Sequence, residues 1–189
     1  MVIITVKLED IRLVELSKNE AHLAELRYRY STPNYYDVSV CRVGGSWKIN
    51  LSLKPFGVTM DKGQPGKLFE DHILEPRVFA ALQGERQVGW IELGHDKWNN
   101  RTRVWEFLVE EAYRRRGIGT LLMNQAVKIA KERGARMLVL ETQTCDVPAI
   151  DFYLKFGFEL IGFDTAAYSN EDIERREVRL ELGLKIEYC

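Results

Sequence analysis

The run Val109-Glu110-Glu111-Ala112-Tyr113-Arg114-Arg115-Arg116-Gly117-Ile118-Gly119-Thr120 carries the residues best suited to hold an anion. An apolar strand ends, a basic turn with two glycines follows, and a helix is expected to begin. A helix start has unpaired backbone N–H groups and the positive end of the helix dipole. Glycines let the backbone approach closely, so the segment can cradle a phosphate. An ordinary basic turn leading into a helix would have the same composition. Gly117-Ile118-Gly119 lacks the third glycine of a dinucleotide fingerprint, and no Gly-x-x-x-x-Gly-Lys-Ser/Thr run is present. Gly63-Gln64-Pro65-Gly66-Lys67 is too short for that motif. Carboxylates within otherwise apolar strands are a second signal, because such groups tend to mark functional sites. Glu106 and Glu141 are the leading candidates, with Glu92 behind them. The structural alternative for Glu106 is an ion pair with Arg101 or Arg103; for Glu141 it is a solvated strand end. Cys145 has no histidine nearby in sequence, which argues against a nucleophilic thiol.

These groups need elements to position them. Met1–Lys7 reads as a strand, not a signal peptide. Ile11 to Tyr30 has Leu13, Leu16, Leu23 and Leu26 at a spacing that predicts one or two short helices. Asp37–Val43 and Trp47–Leu53 predict a hairpin turning at Gly44-Gly45-Ser46, and Gly57–Gly66 an exposed loop. An antiparallel meander follows: Arg77–Gln83, Gln87–Leu93 and Thr102–Val109, with turns at Gly84-Glu85 and Trp98-Asn99-Asn100. Gly117–Arg133 predicts a helix with Leu121, Leu122, Gln125, Ala126, Ile129 and Ala130 on one face, stopped by Gly134. Met137–Glu141 reads as a buried strand parallel to the one before the helix. Asp146 caps the next helix, Pro148 sits in its first turn and Gly157 ends it. Phe158–Phe163 and the alternating Glu177–Glu187 complete an α/β (α+β) arrangement with a mixed sheet and a central parallel crossover. The final strand, read as an exposed edge, could pair across a homodimer.

Composition narrows the class. The chain has 189 residues, 46% of them hydrophobic, with 14 Gly and 5 Pro, which excludes collagen-like and wholly disordered chains. Lys plus Arg is 27 and Asp plus Glu is 28, so the net charge of −1 gives no footprint for nucleic acid. Arg114–Arg116 is the one basic cluster of note, and no nucleic-acid partner is expected. No window approaches the ~20 apolar residues of a membrane span. Three scattered cysteines (Cys41, Cys145, Cys189) and three scattered histidines argue against a metal site and favour a reduced, cytoplasmic protein.

Arg114-x-x-Gly117-x-Gly119 after an apolar strand resembles the pyrophosphate-binding motif of the GNAT superfamily of acyl-CoA-dependent N-acyltransferases. Ala149-Ile150-Asp151-Phe152-Tyr153-Leu154-Lys155-Phe156-Gly157-Phe158 is similar to that superfamily's A-x-x-F-Y-x-x-x-G-F segment. The likeness covers about Arg77 to Phe163. Leu140-Glu141-Thr142-Gln143, the Phe-Tyr segment, and Gly162-Phe163-Asp164-Thr165 with Tyr168 further resemble the streptothricin acetyltransferases, which acetylate an amine of the antibiotic's β-lysine arm. The resemblance implies a GNAT fold: a mostly antiparallel central sheet, a splayed parallel strand pair and flanking helices. It implies one domain over 1–189, with substrate-side elements over 1–75, a cofactor-binding core over 77–168 and a final strand over 177–187.

Acetyl-CoA is the implied cosubstrate, and a small-molecule amine the implied partner. Backbone N–H groups of Arg114, Arg115, Arg116, Gly117, Ile118, Gly119 and Thr120 would hold the pyrophosphate, with charge from Arg114 and Arg116. Leu108 and Val109 would pair with the pantetheine arm. Tyr153 would donate to the departing thiolate, although reference values of ~10 for a phenol and ~8.5 for a thiol make positioning necessary. Otherwise Tyr153 is a core aromatic beside Phe152 and Phe156. A lysine-like amine, pKa ~10.4, lies roughly 4.6 kcal/mol from its reactive neutral form at pH 7. Glu106 or Glu141 would relieve that as general base, with Asp164 and Tyr168 lining the acceptor side. Alternatives are a protein or peptide amine as acceptor, or a non-catalytic acyl-CoA-binding module.

Overall fold

A computed structural model of the chain describes residues 10–21 and 26–188. The proposed strand at Met1–Lys7 lies outside the described residues. The chain forms two compact units. The first comprises the described residues up to Tyr28, Gln64–Val139 and the segment from Lys185; the second comprises Arg29–Gly63 and Leu140–Leu184.

In the first unit, β1 (Ile11–Leu16), β4 (Arg77–Gln83), β5 (Arg86–Asp96) and β6 (Arg101–Val109) lie side by side in that order, all antiparallel. The start of β7 (Met137–Gln143) adds a parallel neighbour, pairing Arg101–Arg103 with Met137–Val139. Among the described residues, the β6–β7 pairing extends no further, so β6 from Val104 onward keeps β5 as its ladder partner. Helix α2 (Ile118–Glu132) packs on β4, β5 and β6. It buries Ile118, Leu122, Met123, Ala126, Ile129 and Ala130, an apolar stripe at helical spacing. The stripe is rotated from the predicted one: Met123 is buried, and Leu121 and Gln125 are only half-buried. On another part of the unit Leu16, Leu26, Leu68, Val78, Ala80, Leu82, Trp90 and Leu108 form a core cluster, with Val14, Tyr28 and Phe69 against it.

Two expectations fail here. Ile11–Leu16 is a strand, followed by a single helical turn, α1 (Lys18–Ala21). The leucine spacing misled because β1 is apolar on both faces, with Ile11 and Leu13 on one and Val14 and Leu16 on the other. The expected loop at Gly57–Gly66 is part of a strand. β2 (Leu26–Val43) and β3 (Ser46–Gly66) form a long ribbon joined at Gly44-Gly45. In a two-stranded ribbon each strand keeps one free edge, where proline and glycine are tolerated.

The second unit contains most of that ribbon, the end of β7, helix α3 (Val147–Phe156), β8 (Glu159–Asp164), the short α4 (Asp172–Arg175) and β9 (Arg179–Lys185). Its strand order is β7-β9-β8, with β8 and β9 antiparallel. The expectation of an exposed final strand is therefore wrong: β9 has a neighbour on each side. Asp146 caps α3 by accepting the Ala149 N–H at 3.2 Å, and Gly157, at φ +113°, ends it.

Candidate active site

The turn expected to cradle an anion grows from the end of β6. After Glu110 a single 3-10 turn, Glu111–Tyr113, redirects the chain. Arg114 is extended, Arg115 is left-handed at φ +63°, and Gly117 is left-handed at φ +84° immediately before α2. Left-handed residues within a turn point successive N–H groups to one side, the geometry of an anion nest. Gly117 supplies no capping side chain, and the first turn of α2 has no acidic residue. Both features suit a polyanion at this helix start. The Arg114 Nε donates to the Val109 carbonyl at 3.1 Å and ties the turn to the strand end. The Arg116 and Arg86 guanidiniums lie 5.6 and 5.5 Å from the Tyr113 ring centre, and Arg86 also bonds Glu110 at 2.7 Å. Arg115 is exposed, and Ile118 is buried as the helix's first anchor. Gly89, opposite Val109, lies so close to Leu108 that a Cβ there would meet its carbonyl oxygen at 3.0 Å.

Glu106 stands on β6, two residues before Leu108. The Tyr28 hydroxyl donates to Glu106 Oε2, and the same oxygen of Tyr28 accepts the Phe107 N–H at 3.1 Å. The structural alternative for Glu106 was an ion pair with Arg101 or Arg103. Arg103 faces Asp96 at 3.6 Å. Burial raises the Glu106 carboxyl above its ordinary pKa, while hydrogen bonds from Tyr28 and the Lys67 N–H oppose the rise and nearby Glu70 adds to it. The β5–β6 register shifts between Glu92 and Leu93, which leaves Trp105 as an extra residue beside Glu106. Such bulges re-aim side chains.

Glu92 faces Glu106 directly across the strands and is fully buried. Its Oε1 accepts the Phe69 N–H at 2.8 Å; its Oε2 is buried without a partner. Burial pushes this carboxyl up to about 7, opposed by the Phe69 N–H and assisted by Glu106 and Glu70. Tyr28, Gly66 and Phe69, which shape this cluster, were missed in the sequence. The alternation Arg27-Tyr28-Arg29-Tyr30-Ser31 was a strand signal that the leucine spacing hid.

The other candidates belong to the second unit. Tyr153 is buried on α3, its ring 5.6 Å from Phe152 and 5.9 Å from Phe158. Burial, with Asp146 adding, pushes its hydroxyl above the ordinary phenol range, so it keeps its proton at neutral pH. Glu141 is exposed and lies 3.7 Å from Arg179. Arg179 also faces Asp164 at 3.5 Å and Glu181 at 3.9 Å, so three carboxylates share one guanidinium. Tyr168 is half exposed; burial of its hydroxyl side and the Glu141 charge raise its pKa. Cys145 is buried, its thiol 3.3 Å from the Tyr30 hydroxyl and pushed up by burial, the reverse of an activated nucleophile. Among the described residues no group of His, Cys, Asp and Glu could hold a metal, and no helix is long and apolar enough to cross a membrane.

Comparison with known proteins adds a family. A streptothricin acetyltransferase from Streptomyces lavendulae is 35% identical over 107 residues, 56% of each chain. The chain spans about half the length of the curated relatives it matches. Among solved structures, a nourseothricin acetyltransferase superposes with a TM-score of 0.76 at 27% identity, covering 94% of this chain and 99% of that one. A Bacillus anthracis protein described as a candidate streptothricin acetyltransferase, solved with acetyl coenzyme A, gives 0.75 at 25% identity, covering 94% and 98%. The model of the acetyltransferase (GNAT) family matches residues 50–158, more than half of the sequence. The chain belongs to the GNAT acetyltransferase family.

Proposed function

We propose that the protein moves an acetyl group from acetyl-CoA directly onto a primary amine of a small molecule, with the β-lysine arm of streptothricin as the first acceptor to test. One observation carries the reading: Glu106, a half-buried carboxylate held by Tyr28, stands on the strand whose following turn leads into a helix start suited to a polyanion. The whole described chain, with any substrate-side elements over 1–75, works as one acyltransferase domain in this reading. The free thiols of Cys41 and Cys145 suit a reducing cytoplasm.

The roles follow from the residues. N–H groups from Arg115 to Thr120 bind the pyrophosphate, that of Arg114 being donated to the Glu111 carbonyl at 3.2 Å, and the edge of β6 away from β5 at Leu108–Val109 takes the pantetheine amides. Glu106 removes one proton from the ammonium group of the acceptor. The freed nitrogen lone pair forms the C–N bond as the C–S bond breaks; the nitrogen releases its second proton to water, and Tyr153 protonates the departing sulfur and regains its proton from water. Asp164 and Tyr168 attract the cationic acceptor, with Glu141 beside them. Glu141 ranks below Glu106 as base, because it is exposed and shares Arg179.

The test is acetyl-CoA consumption with streptothricin, polyamines, amino acids and peptides as acceptors. Rapid turnover of streptothricin supports the reading. Turnover confined to peptides would replace the acceptor, and acetyl-CoA binding without turnover of any amine would reduce the protein to a binding module.

A further inference from the structure

We propose that Glu92 is a positioning residue for Glu106: it is the second carboxyl of a cross-strand pair, and it keeps the pair's proton away from the base. This rests on the reading of Glu106 as general base. Nothing in the GNAT motif segments contains Glu92.

The argument begins with register. Glu92 on β5 lies opposite Glu106 on β6, and its other neighbour, on β4, is Val78. Directly opposed like charges destabilise a strand pair, and two buried carboxyls do not both ionise easily. The surroundings are unequal. Glu106 is half-buried and receives the Tyr28 O–H and the Lys67 N–H, two donors that favour its anion. Glu92 is fully buried and receives one donor, the Phe69 N–H, on Oε1. Its Oε2 has no partner, so a charge there would be unsolvated, whereas a proton there is far less costly. Besides Glu106, the charged group acting on Glu92 is Glu70 from the segment after β3, which adds negative charge; Tyr28 from β2 donates to Glu106. Every asymmetry places the proton on Glu92 and the charge on Glu106.

Glu92 therefore leaves Glu106 ionised and able to accept one proton from an ammonium group. As pH passes about 7, where the Glu92 carboxyl loses its proton, the new charge raises the proton affinity of Glu106. The pair titrates in two steps, and the base strengthens at the second.

The experiment compares the pH dependence of kcat/KM in the wild type, Glu92→Gln, Glu106→Gln and the double variant. The glutamine at 92 keeps the Phe69 bond and mimics the protonated state. The wild type should rise in two steps, the second near neutrality. Glu92→Gln should lose that step and fall roughly three- to tenfold at pH 8. A Glu92→Gln profile that superimposes on the wild type, while Glu106→Gln loses 100-fold or more, overturns the inference and leaves the base assignment standing. An unchanged rate in Glu106→Gln overturns the base assignment itself. Carboxyl carbon NMR of glutamate-labelled wild type gives a readout independent of turnover and of the fold of Glu92→Gln. One resonance should titrate near neutrality and move to lower pH in Glu106→Gln. If no glutamate titrates there, or if the resonance does not move, the proposal fails.

Discussion

Gly66 sets how closely the chain can pass the Glu106 carboxylate. A Cβ at this position would meet Tyr28 Cε2 at 2.7 Å, Glu106 Oε2 at 3.0 Å and Leu26 Cβ at 3.1 Å. Gly66→Ala must therefore displace the donor, the acceptor or both. Displacements of about 1 Å at a reacting group can cost up to about 100-fold, so kcat/KM should fall by at least about tenfold. Steady-state kinetics with a saturating acceptor check it, and an unchanged rate would detach Tyr28 and Glu106 from the chemistry. Tyr28→Phe removes the hydrogen bond to the Glu106 carboxylate and the acceptor of the Phe107 N–H, and should destabilise the fold by at least about 1.5 kcal/mol in chemical denaturation. It should also lower kcat more than it raises the KM for acetyl-CoA, because Tyr28 donates to the proposed base Glu106. Glu106 was legible from sequence as a charge in an apolar strand. Its partner was not, because a hydroxyl 78 positions away becomes a neighbour only in the folded chain.

At the scale of elements, the turn between β6 and α2 holds two left-handed residues, Arg115 and Gly117. An L-residue in that conformation costs about 1–2 kcal/mol. Gly117→Ala should destabilise by that amount and raise the KM for acetyl-CoA, since the N–H groups lose their aim. Arg115→Gly should stabilise the fold, and a loss of stability in thermal melts would count against strain at this turn. The turn before α2, the meander and both central helices were legible because local signals agree there: alternation, an N-cap and terminal glycines. Where the reading failed, local and long-range signals disagreed. β1 hid behind a spacing of three between two leucines, and β3 hid behind Gly57, Gly63, Pro65 and Gly66, residues that a ribbon edge accommodates. The tip of that ribbon exposes Trp47, Ile49 and Leu53 in strict alternation with Lys48, Asn50 and Ser52, a pattern the sequence did show.

For the whole molecule, the buried carboxyl of Glu92 ties stability to pH. Folded, it holds its proton up to about 7, against an ordinary value of 4.5. Between those values the folded chain binds more protons than the unfolded chain, so stability falls as pH rises. This contribution is fully present below pH 4.5 and gone above about 7, a difference of about 3 kcal/mol. Denaturation free energies between pH 5 and 8 should show the decline, and Glu92→Gln should flatten it. A wild type whose stability rose over that window would show that Glu92 does not govern it.

The placement of β9 between β7 and β8 has a consequence for how the chain is made. β8 leaves the ribosome first, yet it has no strand beside it until Arg179–Lys185 arrives. Until then the nascent second unit presents two open strand edges, templates for pairing with other chains. Synthesis that stalls or terminates before Arg179 should yield an aggregating product bound by chaperones, while the β4–β5–β6 meander, whose partners are consecutive, can already close behind it.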